Sequence, residues 1–150
     1  MNKLERCRKA MEYHGRGFNC GQSVLEAFRD LTDLTEDQGR RIATGLGGGF
    51  RSGNICGAAS GAVLVLGMLY PHNTEDMAQK AETGKLVKEF VNRFKAQFSD
   101  LVDCRDLLPA KNLQGRAEAE ELGATKHCEM LIVSAVAILY DYLEELNSKE

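Results

Sequence analysis

The stretch "ICGAASGAVLVLGMLY", residues 55–70, decides the fold. It holds no charged side chain, and its apolar residues neither alternate with polar ones nor form a single stripe. A run of this kind, entered through the glycine-rich "GLGGGFRSG" (residues 45–53) and closed by Pro71, fits a helix buried on every side. Such a helix needs apolar partners all round, and the rest of the chain supplies them.

Helical periodicity runs through nearly all of the remaining sequence, broken by Pro71 and Pro109 alone. A first helix spans residues 3–14 with Leu4, Cys7, Met11 and His14 on one face. Asn19 is placed to cap a second helix whose inner face is Cys20, Val24, Ala27, Phe28 and Leu31. Thr35 and Gln38 have capping-box spacing and open a third, carrying Ile42, Ala43 and Leu46. Asn54 is the expected cap of the central helix. Thr74 opens a long fifth helix striped with Met77, Ala81, Val87, Phe90, Val91, Phe94 and Phe98, and Thr125 opens the last, with Cys128, Leu131, Ile132, Ala135 and Leu139 inward. The expectation is an all-α, single-domain helical bundle over residues 1–150, of about six helices, with the apolar helix innermost. A charge at Val63 should then be severely destabilising. Residues 99–125 are irregular and polar, a connection long enough to suggest function or mobility.

The net charge of −3 and the scattered Lys and Arg offer no basic field for a phosphate backbone, so nucleic acid is not an expected partner. The N-terminal "MNKLERCRKAMEYHG" lacks the apolar run of a secretory signal, and no apolar stretch reaches the roughly 20 residues of a membrane span. The expected location is cytoplasmic. There, spaced thiols mean core packing, metal binding or redox chemistry.

The five cysteines are Cys7, Cys20, Cys56, Cys104 and Cys128. Cys7 has the spacing of an ordinary core residue and is left out of the candidate site. Cys20, Cys56 and Cys128 fall in the first turns of the second, fourth and sixth predicted helices, where unpaired amides and the helix dipole stabilise a thiolate. In an up-and-down bundle those three turns lie at one end, and Cys104, on the connection between the fifth and sixth helices, returns there too. Burial raises a thiol pKa and the helix start lowers it. The expectation is that the helix start wins at Cys56, leaving it more acidic than a free thiol.

The pattern of Cys20 in "NCGQSVL", Cys56 in "CGAASG", Cys104 in "CRDLL" and Cys128 resembles the C_GCAxxG_C_C family of small bacterial proteins described as redox-active. The resemblance covers nearly the whole chain. It implies that the four defining cysteines are Cys20, Cys56, Cys104 and Cys128, with no established reaction or substrate. Family members are found mostly near transporter genes, which implies a transporter-associated or redox partner.

No C-x-x-C motif occurs, so any pairing is long-range. Two chemistries stay open for the four cysteines: reversible disulfide formation, or four thiolates holding a metal ion or an iron–sulfur cluster as cofactor. A third reading is a non-catalytic helical adaptor serving a transporter. Gly53 and Gly57 would let the backbone approach whatever Cys56 binds. Gly48 and Gly53 have P-loop spacing, but Asn54 and Ile55 stand where Lys and Ser or Thr would be needed. Arg51, Arg105 and Lys126 lie near three of the cysteines in sequence; a solvated charge is the expectation for each, with a lowered thiol pKa as the alternative, and His127 beside Cys128 is expected to act on it only as a loose electrostatic neighbour. No Ser, His and Asp grouping or paired-carboxylate motif stands out, so whether the chain is an enzyme stays open, as does its oligomeric state.

Overall fold

The structure, a computed structural model, describes residues 1–149. Among these residues it is all-α, with helices α1 (Lys3–Gly15), α2 (Cys20–Phe28), α3 (Glu36–Ile42), α4 (Gly57–Leu69), α5 (Met77–Gln97), α6 (Cys104–Leu107), α7 (Ala117–Glu121) and α8 (His127–Ser148). The six expected helices are present. The two additional ones, α6 and α7, are single turns within residues 99–125, and that segment is packed: Leu107, Ala119 and Ala124 are buried. No described helix is long and apolar enough to cross a membrane.

Local sequence sets several of the boundaries. Asn2, Asn19 and Thr35 each cap a helix by accepting the N–H three residues on, and Glu5, Gln22 and Gln38 return the bond to the cap amide. Three other caps differ from expectation. Thr74 binds the Gln79 side chain, and Asp76 caps α5 instead. α8 begins after Lys126 with no side-chain cap. At α4 the Asn54 side chain is held by Arg105 (2.7 Å) and its carbonyl by the Cys104 amide (2.7 Å), so the chain stays extended until Cys56, the capping residue.

The core is built on α8, where every residue of 131–139 is buried. α4 packs against α2, α5 and α8, as a central apolar helix should, yet one side of it is open. Val63 and Leu64 are half-buried and Met68 is 40 % exposed, over a shallow apolar groove shared with Leu25, Leu34 and Ile42. This corrects the expectation at Val63. Ala62, fully buried one residue earlier, is the position that does not accept a charge: Ala62→Asp should abolish cooperative thermal unfolding, while Val63→Asp should lower the midpoint only modestly.

The fifth helix also departs from its expected stripe. Met77 and Ala81 are exposed, and burial starts at Leu86, from which Phe90, Phe94 and Phe98 form an aromatic ladder with centroids 6.5 and 4.9 Å apart. At the other side of the core, the buried Arg6 ties α1 to the end of α2. It donates to the Ala27 carbonyl (2.8 Å) and pairs with Asp30 (2.6 Å).

Candidate functional site

Two helix starts cross where only glycine permits it. A Cβ on Gly61 would stand 2.6 Å from the Gly21 carbonyl oxygen. One on Gly57 would stand 2.9 Å from the Leu46 carbonyl and 3.2 Å from the Cβ of Cys20. The first turns of α2 and α4 therefore lie backbone on backbone, with Cys20 beside the start of α4. Gly21, in "NCGQSVL", completes the contact, a part of the site that its position directly after Cys20 in a helix's first turn could have signalled. At both Gly57 and Gly53 the space a side chain would take is filled by protein, in the second case by Arg105.

A short antiparallel pairing brings in Cys104. The Cys56 amide donates to the Val102 carbonyl (2.8 Å) and the Cys104 amide to the Asn54 carbonyl (2.7 Å), setting Ile55 opposite Asp103. Cys128, the second residue of α8, reaches the same place: its sulfur lies close enough to that of Cys20 for each to set the other's acidity, and within the electrostatic reach of Cys56 and Cys104. The structure thus brings Cys20, Cys56, Cys104 and Cys128 together. Cys7 lies apart, donating its S–H to the Val133 carbonyl (3.6 Å) among Glu118, Lys3, Asp141 and Arg116.

The four thiols differ in acidity. Cys128 is brought down to about 6, first by the neighbouring Cys20 thiol, with His127 helping and partial burial and Glu129 opposing. Cys20 is pushed far above the ordinary thiol range by that same interaction and then by burial, with the other three sulfurs adding to the effect. The pair therefore reads as a Cys128 thiolate beside a Cys20 thiol. Cys104 is raised by burial and by the charge on Cys128.

Cys56 is the correction. The amides of Ala58 and Ala59 face its sulfur, as a helix start should provide, but the residue is only 3 % exposed and burial prevails, holding the thiol up at about 11. Cys7, Cys20 and Cys56 all keep their protons to higher pH in the folded chain than in the unfolded one. The sign of the linkage follows: above about pH 9 the unfolded chain sheds these protons first, so the stability of the reduced protein should fall as pH rises further. Urea unfolding of reduced protein at pH 8 and pH 10 checks this, and Cys7→Ala should flatten part of the decline.

Among the described residues, no group of three or more His, Cys, Asp or Glu side chains stands in a metal-holding arrangement.

An all-α bundle with a cysteine cluster at the meeting of its helix starts defines a class of small thiol protein. The family model described as "Putative redox-active protein (C_GCAxxG_C_C)" matches residues 18–142, and the chain belongs to that family. The matched region contains Cys20, Cys56, Cys104 and Cys128 and leaves out Cys7. No curated protein and no solved structure matches the chain.

Proposed function

We propose that the protein is a thiol–disulfide redox protein whose working pair is Cys128 and Cys20. One observation carries this reading: the Cys20 and Cys128 sulfurs lie close enough to act on each other, and that interaction favours the thiolate at Cys128 and the thiol at Cys20. The Cys128 thiolate attacks a disulfide on a partner. A Cys128–partner disulfide forms, and the partner's other sulfur leaves as a thiolate that takes up a proton.

Once Cys128 is in that mixed disulfide it carries no charge, and the largest influence holding the Cys20 proton disappears. Cys20 then loses its proton and attacks the Cys128 sulfur. The partner leaves as its second thiolate, and the Cys20–Cys128 disulfide remains. The partner has gained two electrons and the pair has lost two; reduction by an external dithiol restores it. Cys56 and Cys104 hold their protons at neutral pH and have no covalent step in this scheme.

The test is a trap. Cys20→Ser, offered bis(2-hydroxyethyl) disulfide, should accumulate a stable adduct on Cys128 by intact mass, since nothing resolves it. Cys128→Ser should not accumulate one, and Cys7→Ala should cycle as the parent does. Equal adduct formation in both single variants would remove the assigned roles.

A further inference from the structure

The antiparallel pairing that carries Cys104 to the site uses only one side of its strands. Ile55 and Asp103 sit opposite each other between the two hydrogen bonds, so the N–H and C=O of Ile55 point away from Asp103. Neither group has a partner among the described residues, and Ile55 is 39 % exposed. An extended segment with a free donor and a free acceptor is a template for one more strand. This one ends at Cys56, inside the thiol cluster.

The flank of that edge is shaped as well. Gly48, Gly49, Phe50 and Arg51 are four consecutive residues with left-handed backbone (φ 63, 62, 60 and 56°), a conformation disfavoured for the two that are not glycine. The turn closes on itself through the Asn54 amide and the Gly49 carbonyl (3.1 Å), and in it Phe50 is half exposed and Arg51 exposed, with three residues between Arg51 and Ile55. Arg105 is tied to Asn54 and lies 3.9 Å from Asp103, whereas Arg51 has no ion-pair partner among the described residues. A half-exposed aromatic side chain and a cation with no ion-pair partner among the described residues thus lie in the turn that leads into an open backbone edge.

We propose that Ile55 is the docking edge for an extended, acidic segment of a disulfide-bearing protein partner, which adds as a strand beside residues 54–56 with its acidic side chain toward Arg51 and its disulfide presented to the thiol cluster. The proposal rests on the thiol–disulfide reading above and names the partner for it. Backbone pairing supplies a general grip on unrelated extended sequences, and Arg51 supplies a preference for acidic ones.

The probe is the pentapeptide Glu-Val-Cys-Val-Glu, its cysteine carried as a mixed disulfide with 2-mercaptoethanol, compared with the same peptide N-methylated at every residue but cysteine. Bis(2-hydroxyethyl) disulfide, which has no backbone, reports the thiol chemistry alone. The reduced protein should react with the parent peptide about tenfold faster than with the methylated one, the scale expected when a pair of backbone hydrogen bonds is lost. Arg51→Asn, a residue that tolerates left-handed backbone, should erase the advantage of the Glu peptide over its Gln counterpart and leave the small disulfide's rate unchanged. A redox-silent peptide with Ser for Cys should shift the Ile55 amide resonance in titration, independently of any thiol step.

Equal rates for parent and methylated peptides, or an Ile55 amide that does not move, would overturn the docking edge while leaving the thiol pair intact. If the small disulfide goes unreduced while the Ser peptide still shifts Ile55, the failure belongs to the thiol reading and the edge stands as a peptide site.

Discussion

Cys128→Ser is expected to slow the attack of the reduced protein on a small disulfide at pH 6 by roughly twentyfold. Near its pKa of about 6, half of Cys128 is thiolate, whereas a thiol at or above 9 is ionised to about one part in a thousand. Thiolate nucleophilicity falls with pKa by a Brønsted slope of about 0.4–0.5, which returns roughly twentyfold of that roughly five-hundredfold advantage. The contrast should shrink as pH rises toward 9, because the other thiols ionise while Cys128 gains nothing. In Cys20→Ala the neighbouring thiol that is the largest cause of the lowered pKa is gone, so the alkylation midpoint of Cys128 should move upward toward the ordinary thiol range. Iodoacetamide alkylation of Cys128 followed against pH by peptide mass reads both effects. A Cys128 midpoint near 9 in the parent protein would contradict them.

Gly61→Val should be the most damaging glycine substitution in α4. Its Cβ would meet the Gly21 backbone at 2.6 Å for the carbonyl oxygen and 3.0 Å for the α-carbon, and backbone cannot swing aside as a flexible side chain does. Overpacking of this kind costs about 1–3 kcal/mol, and here relief requires α2 and α4 to separate at the end that carries Cys20 and Cys56. The denaturation midpoint should therefore fall and the Cys128 alkylation midpoint should rise together, as Cys20 is drawn off its partner. Gly67 is the internal control. It lies in the same helix with nothing within 4 Å of a Cβ, so Gly67→Ala should be neutral or stabilising by about 0.5–1 kcal/mol, with the thiol chemistry unchanged.

Much of this architecture was legible because it is written in local rules. Asn19 and Thr35 cap where a short polar side chain precedes a helical stripe, and Gly57 and Gly61, one turn apart, mark a helix face that another backbone can approach. What was not legible depends on contacts distant in sequence. Asn54 does not cap α4 because Arg105 and the Cys104 amide, about fifty residues on, hold it extended. The first half of α5 carries apolar residues at helical spacing, yet nothing packs over Met77 and Ala81. The site divides along the same line. Which four cysteines gather followed from their places at helix starts and on the returning connection, but which of them is acidic did not. At Cys56 the amides and the burial oppose each other, and only the depth of the residue decides between them; at Cys128 the deciding group is Cys20, more than a hundred residues away.

The central claim is that Cys20 and Cys128 are a redox pair, and a disulfide map of gently oxidised protein tests it most directly. Cleavage after Lys and Arg places each of the five cysteines in a different peptide, so every possible bridge yields its own cross-linked mass. Oxidation of native protein with a slight excess of bis(2-hydroxyethyl) disulfide, followed by blocking of the remaining thiols, should give one dominant species. That species joins the Cys20 peptide of residues 17–29 to the Cys128 peptide of residues 127–149, with Cys7 and Cys56 recovered blocked. A dominant bridge that omits Cys128, or native protein recovered with all five thiols blocked, would contradict the assignment.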